Sequence, residues 1–365
     1  MRPVSEAELC DIVRAAGPLV IRGGGTRGIG RAKGLVLETS GLTGISLYEP
    51  GALTLVAQAG TALAEIEAVL AGERQRLAFE VPDMRGLLRR DGVSTIGGVV
   101  AANASGPRRV QVGACRDALL GVRFVDGRGA VIKNGGRVMK NVTGYDLVKL
   151  MAGAQGALGV LTEVSFKVQA VPEVEATLVG DLGEIAGLAA LRAALRSPFD
   201  VSGAAYANGR AMIRLEGLAG SVAYRRQALA AVLGGGWDVV EGAASADLWR
   251  QVRDVTAFAD VDGAVWKLSV KPSDAAEIVA GLAALDLRAI YDWGGGLVWL
   301  LVPQEDAGAV RAAVAAKGGH ATLVRGVPGM TVPVFPPEPA AVAALTAGLR
   351  VQFDPRAILN TGIMG

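Results

Sequence analysis

Histidine is nearly absent: one residue of 365, His320, carries an imidazole. A multi-histidine metal centre cannot be built from it, and no metal ligand set is expected. Cysteine is almost as scarce. Cys10 and Cys115 make no CxxC pair and no disulfide framework, which fits a reducing, cytoplasmic compartment. Aromatic residues amount to 5%, too few to suggest a stacking platform for bases, and a net charge of +2 offers no polyanion-binding surface. No nucleic-acid partner is expected. No apolar run approaches the ~20 residues that span a bilayer, so membrane contact is expected only through a partner. Met1–Gly17 lacks the continuous apolar stretch of a signal peptide. Ser5 and Glu8 instead frame a capping box for a short helix that ends before Gly17-Pro18.

What the chain has in excess is glycine. Its 51 glycines are about twice the usual frequency and follow no strict period. Two clusters stand out. Arg22-Gly23-Gly24-Gly25-Thr26-Arg27-Gly28 follows a short apolar run, and a second small-residue segment covers Ser94–Gly106. Glycine tolerates the positive φ angles that turn successive N–H groups toward one point. Such a nest suits a pyrophosphate, and Arg22 and Arg27 add positive charge. The alternative is that each glycine merely serves a tight turn.

The length allows two domains, and 51% hydrophobic residues supply their cores. Short strands are expected at Leu19–Arg22, Gly34–Glu38, Gly44–Tyr48 and Thr54–Gln58. Thr61 is expected to cap a helix over Ala62–Ala71. Leu119–Val125 and Ala130–Lys133 flank the Asp126-Gly127 turn, Val142–Ala152 reads as helix, and Leu158–Val168 as a long strand. Beyond Pro172 the pattern changes. Phe199–Ala207 and Arg210–Glu216 flank Asn208-Gly209, the strongest short hairpin signal. Helices are expected at Ser221–Leu233 and Ala246–Val252. A similar order recurs between Val265 and Val324, so this part reads as two related β-α-β-β-α-β units. Pro328 to Pro339 reads as a Pro-rich linker, followed by a helix near Ala340–Arg350.

One motif misleads. Gly24-Gly25-Thr26-Arg27-Gly28-Ile29-Gly30 fits the fingerprint of short-chain dehydrogenases, and Tyr145-Asp146-Leu147-Val148-Lys149 supplies their Tyr-x-x-x-Lys. A dinucleotide loop must open a helix, however, whereas here the chain runs into the β-like Gly34–Glu38. No serine stands at the required place before Tyr145.

Four segments in order resemble a different family. The strand with Arg22–Thr26 resembles the pyrophosphate loop of the FAD-binding domains of the vanillyl-alcohol oxidase / p-cresol methylhydroxylase (PCMH) type. Thr95-Ile96-Gly97-Gly98-Val99-Val100-Ala101-Ala102-Asn103-Ala104-Ser105-Gly106 is similar to that family's second flavin loop. Gly156-Ala157-Leu158-Gly159-Val160-Leu161-Thr162-Glu163-Val164 is similar to its Gly-x-Leu-Gly segment. Phe353-Asp354-Pro355 with Ile358-Leu359-Asn360-Thr361-Gly362 resembles the closing motif of its 2-hydroxy-acid branch. Ala104–Arg109, Gly113–Asp117 and Gly136–Leu147 further resemble the FAD-binding accessory subunits of bacterial glycolate oxidases.

The resemblance implies an α+β fold: a two-subdomain PCMH-type FAD-binding domain over residues 1–171, a smaller α+β cap domain of ferredoxin-like units over 172–327, and a linker and C-terminal return to the flavin over 328–365. It implies non-covalent FAD. Arg22, Gly23, Gly24, Gly25, Thr26, Arg27 and Gly28 would wrap the pyrophosphate. Thr95, Gly97, Gly98, Ala102, Asn103 and Ser105 would line the way to the isoalloxazine. Gly156, Gly159, Val160 and Val164 would hold the adenine end, and Asn360 would approach the ring. It also implies a larger flavin-containing catalytic subunit and an iron–sulfur subunit as partners, in a cytoplasmic assembly that is peripheral to the inner membrane through the complex.

The resemblance also exposes what is missing. Catalytic members of the family carry paired histidines, and this chain has His320 alone, read as an exposed strand-end residue. No catalytic residue is identified. Cys115 reads as a small buried thiol. Arg250 and Arg253 read as surface charges. Lys267 is either a solvated strand-end lysine or a cation directed at the flavin from the second domain. The expected function is an FAD-carrying subunit of a glycolate (2-hydroxy-acid) dehydrogenase complex. A free-standing FAD dehydrogenase of a small hydroxy acid or alcohol, and a non-redox assembly subunit, are the alternatives.

Overall fold

Three sheets organise the chain. The structure is a computed structural model that describes residues 1–136, 144–304 and 306–363. Ser5 opens the first helix, Glu6–Ala15: its Oγ accepts the Glu8 N–H at 3.2 Å, and Glu8 Oε2 accepts the Val4 N–H at 2.8 Å. The helix buries Leu9, Cys10 and Val13 against Leu19, Leu37 and Val160. Each such side chain stabilises by about 1.5–3 kcal/mol. Leu19–Arg22 pairs in parallel with Leu35–Glu38. A six-stranded antiparallel sheet follows, ordered Ile45–Glu49, Thr54–Gln58, Val160–Ala170, Leu119–Val125, Val131–Gly135, with Gln75–Leu77 on the far end of Val160–Ala170. The helix Leu63–Gly72 and the short helix Ile96–Ala101 cover it, burying Ile66, Leu70, Ile96, Val99 and Val100.

The third sheet has eight strands, all paired antiparallel, and is made of two related units. The first runs Val174–Asp181, helix Glu184–Arg196, Gly203–Ala207, Arg210–Gly217, helix Ala219–Val232, Asp238–Glu241. The second runs Ala264–Ser269, helix Ala275–Gly281, Arg288–Asp292, Leu297–Val302, helix Ala307–Ala315, His320–Arg325. Within each unit the strands lie in the order second, third, first, fourth, and the second strands of the two units meet at Tyr206 and Tyr291. The expected β-α-β-β-α-β repeat is therefore present. The hairpin between Gly203–Ala207 and Arg210–Gly217 turns at Asn208 (φ 52°) and Gly209 (φ 78°), the double left-handed geometry its sequence foretold. One face of this sheet packs its own helices through Leu188, Leu191, Leu229, Ile278 and Val310. The opposite face carries Val265, Ile290, Trp299 and Leu301 and meets Leu87 of the first half.

Several local expectations change. Thr61 does not cap the helix. Its Oγ1 donates toward Gln58 O (2.7 Å) and accepts the Gly44 N–H (2.9 Å), tying two loops together. The expected helix Val142–Ala152 is Leu147–Met151, started by Asp146, whose carboxylate accepts the Lys149 N–H at 3.1 Å; residues 142 and 143 lie outside the described residues. Helix Glu184–Arg196 and edge strand Asp238–Glu241 were not among the expected elements. The Pro-rich stretch is pinned to the second unit: Leu323 N–H donates to Val334 O at 2.8 Å. After it, helix Ala340–Phe353 buries none of its residues. The chain then returns to the first strand, where Leu19 N–H donates to Ile358 O (2.7 Å) and Asn360 N–H to Leu19 O (3.0 Å). Among the described residues no helix is long and apolar enough to cross a membrane.

Candidate functional site

A cavity of about 380 Å³ opens where the loop after Leu19–Arg22 meets the segment before helix Ile96–Ala101. Residues 22–30 form one wall, Ala59, Thr95, Gly97, Gly98, Ala101 and Ala102 a second, and Gln155, Gly159, Leu161 and Ile363 a third. The two glycine-containing loops interlock. A Cβ on Gly24 would sit 1.5 Å from Val93 O, so only glycine lets the backbones touch there. Gly25 turns with φ 76°, a conformation that L side chains disfavour. The close approach read from sequence thus serves loop-to-loop packing at Gly24, and the reversal of the chain at Gly25.

That packing leaves amides free. The N–H groups of Gly24, Gly25, Thr26, Arg27 and Gly28 meet no acceptor among the described residues, although Thr26 is only 4% exposed. Free amides beside a cavity call for an anionic acceptor. Arg27 adds the charge. Its guanidinium donates to Thr26 Oγ1 (3.0 Å), Ser94 Oγ (2.9 Å) and Pro82 O (2.7 Å), which are all neutral, and its buried Nε has no partner. Burial lowers its pKa to about 10, so it stays charged at neutral pH. Arg22, by contrast, is neutralised by Glu38 at the surface. The residues present therefore fit a diphosphate-bearing group, with Arg27 and the loop amides as its holders.

Most of the expected binding residues come together here: Arg22 to Gly28, Thr95, Gly97, Gly98, Ala102 and Gly159 all line the cavity. The others support it from behind. Asn103 (φ 45°) accepts the Arg116 N–H on Oδ1 at 3.0 Å, and Ser105 Oγ accepts the Cys115 N–H at 3.0 Å. Val160 and Val164 are fully buried in the apolar cores and leave the wall to Leu161. Asn360 holds the wall together: Oδ1 accepts the Ile21 N–H (2.7 Å) and Nδ2 donates to Gln155 O (2.6 Å). Gly156 lies against that amide, 2.7 Å from its Nδ2 if it had a Cβ. Ala59, Gln155 and Leu161 were missed. Ala59 and Leu161 sit at strand ends, and Gln155 (φ 52°) in the turn before Val160–Ala170, positions whose residue types carry no sequence signal.

The dehydrogenase-like pair is not a dyad. Tyr145 is 89% exposed, and the Lys149 ammonium donates to the Arg116 and Leu119 carbonyls. Cys115 is buried, and burial pushes its thiol well above the ordinary range, so it is inert. His320 opens its strand in an exposed position. Arg250 pairs with Asp247 at the surface, but Arg253 is largely covered, paired with Asp254 at 2.7 Å and close to Gly106. Lys267 is no solvated strand end. It lies mid-strand on the face turned toward the first half of the chain.

That seam is also locked by charge. Arg214 donates to both oxygens of Glu80 (2.8 and 3.1 Å), and Arg108 to both oxygens of Glu216 (2.9 and 3.0 Å), with Arg76 at 2.6 Å from Glu216. The flanking guanidiniums overcome the desolvation that burial imposes and hold both carboxyls below the usual carboxylate range. Glu80 also accepts the Arg108 N–H at 2.6 Å, and its own carbonyl accepts the Gly106 N–H at 2.9 Å. The lock thereby fixes the segment Ser105–Arg109.

Comparison with known proteins now bears on the site. Residues 1–135 match the FAD binding domain family. Glycolate oxidase subunit GlcE of Escherichia coli (strain K12) is 36% identical over 350 residues, covering 95% of this chain and 92% of that protein. This chain belongs to the GlcE family of FAD-binding-domain proteins. Relatives matching only part of it include glycolate oxidase subunit GlcD of Bacillus subtilis (strain 168), 34% identical over 44% of this chain and 34% of that one. Alkyldihydroxyacetonephosphate synthase has the same fold, with a TM-score of 0.70 over 99% of this chain and 76% of that chain, at 15% identity. The expected PCMH-type architecture and FAD as cofactor stand in this GlcE-family chain.

Proposed function

We propose that this chain is the FAD-carrying subunit of a multi-subunit glycolate (2-hydroxy-acid) oxidising complex, with the substrate site on a larger flavin subunit. The observation that carries the reading is the row of unsatisfied amides from Gly24 to Gly28 beside the ionically unpaired Arg27. These groups hold the diphosphate, Gly98, Ala101 and Ala102 give the cofactor a smooth flank, and Leu161 and Gly159 offer an apolar wall suited to an adenine face. FAD supplies a two-electron acceptor. The chain's own part is to bind it and orient it.

Membership of an assembly is supported by helix Ala340–Phe353. Val342, Leu345 and Leu349 follow at helical spacing and are 45%, 71% and 39% exposed. An uncovered stripe of this kind suits a partner subunit. An iron–sulfur subunit as the onward electron carrier, and a peripheral position at the inner membrane, complete the proposal. The test is expression of the full chain alone and with its partners. Alone it should be yellow, release its flavin on acid precipitation and fail to turn over glycolate. Glycolate oxidation should return with the partners. A colourless chain that takes up no added FAD, or brisk glycolate turnover by the chain alone, would refute the reading.

A further inference from the structure

Arg27 is steadied from three directions, and one of them begins in the second half of the chain. Two of its acceptors, Thr26 Oγ1 and Ser94 Oγ, belong to the two glycine-containing loops themselves. The third is Pro82 O at 2.7 Å. The same peptide unit carries the Asp83 N–H, which donates to Asp254 Oδ1 at 2.7 Å. In a trans peptide these two groups point in opposite directions, so a single amide plane stands between the carboxylate and the guanidinium. Each hydrogen bond polarises the amide in the sense that strengthens the other. Asp254 thus reaches Arg27 without touching it. The charges of Asp83 and Asp254 oppose the desolvation that burial imposes on the guanidinium. The Asp83 carboxylate itself is turned to Arg85, at 2.7 Å.

Asp254 is the last residue of helix Gly242–Asp254, whose Trp249 and Val252 pack on Ala205 and Met212 of the first ferredoxin-like unit. An acid at a helix C-terminus opposes the helix dipole, so the stability of the helix does not call for it. The next residue, Val255, is left-handed (φ 51°) and fully buried beside Leu87 and Phe258, which fixes the helix end against the first half. Arg253 donates to both Asp254 oxygens, at 2.7 and 2.8 Å, and only 11% of the Asp254 side chain is exposed. The carboxylate is thereby aimed at the Asp83 amide. We infer that Asp254 is a positioning residue for the cofactor cavity: through the Pro82–Asp83 peptide it holds the Arg27 guanidinium where the diphosphate binds, and so ties cofactor retention to the docking of the second half. Asp254 acts only if Arg27 holds the diphosphate, so this role rests on the function proposed above. By linkage, a cofactor that engages Arg27 in turn tightens the contact at Asp254.

A double-mutant cycle on the full chain, freed of flavin and titrated with FAD, tests this role, with the dissociation constant read from flavin fluorescence. Arg27→Met should weaken FAD binding about thirtyfold, and Asp254→Ala about fivefold. In the Arg27→Met background Asp254→Ala should change the affinity by less than about twofold, because its path ends at the missing guanidinium. A general loosening of the seam would instead lower the affinity equally in both backgrounds. Urea titration checks that each variant is folded. If Asp254→Ala does not fold, Asp254→Asn takes its place in the cycle: it loses the charge but keeps an acceptor, with an expected loss of about threefold. Unchanged FAD affinity in the folded Asp254 variant, or the same loss with and without Arg27, would overturn the role of Asp254 and leave that of Arg27 standing. Unchanged affinity in Arg27→Met would overturn both.

Discussion

The two ferredoxin-like units present charge to the same seam in opposite ways. In the first unit, Arg214 and Glu216 meet Glu80, Arg108 and Arg76, so each buried carboxylate finds guanidiniums and each of these guanidiniums finds a carboxylate. In the second, Lys267 faces one indole that Arg109 of the first half also covers, and neither cation forms an ion pair among the described residues. The first arrangement is a lock: its bonds are bidentate and it freezes Ser105–Arg109. The second has polar capacity left over. The second group is partly open to solvent and makes no bidentate pair.

The sharpest way to break this contrast is Glu216→Gln. It leaves Arg76 without a carboxylate and Arg108 with only its longer contact to Glu80 at 3.5 Å, and a loss of about 3–5 kcal/mol in unfolding free energy is expected from urea titration. Lys267→Met should show no loss in the same titration. If the two variants fall equally, the distinction between the clusters collapses. Gly24→Ala comes next. Its methyl must displace Val93, so FAD uptake measured by flavin absorbance should weaken at least tenfold, with about 1–3 kcal/mol of stability lost.

A smaller effect is a pH dependence in two separate windows, one for each cluster, with stability rising with pH in both. Lys267 is held near pKa 8 against an ordinary 10.5, so the unfolded chain binds more protons between these values. Stability should therefore gain a component that rises from pH 8 to 10.5 in the parent and is missing from Lys267→Met. Glu216 is held low, so its contribution is full above pH 4.5 and lost as the pH falls below it. Thermal unfolding of parent and variant across both windows reads the two contributions separately. The smallest change belongs to Tyr145→Phe, which should leave stability within about 0.5 kcal/mol and flavin content unaltered.

Much of this was legible beforehand. The Asn208-Gly209 hairpin, the duplicated unit and the three segments around the cavity all follow from local chemistry: turn residues, alternation and runs of small side chains. The seam was not. Glu80, Arg108 and Glu216 are separated by up to 136 residues and carry no local signature, because their meaning arises only when two sheets are brought together. Lys267 sits in a strand whose alternation accommodates a charge on a solvated face, and only the packing of Leu87 and Trp299 around that face reveals its burial. Val160 and Val164 illustrate the reverse error. Both are fully buried, Val160 beneath the first strand and Val164 in the core of the six-stranded sheet, while the register shift between Leu161 and Glu163 leaves Leu161 on the cavity wall.

Helix Ala340–Phe353 has a consequence for dosage. A cell that made this chain in excess of its companions would show Val342, Leu345 and Leu349 to water, and such ridges stick to one another. Matched synthesis of all members would then be a condition for keeping the protein in solution, and its yield should climb when the others are produced beside it.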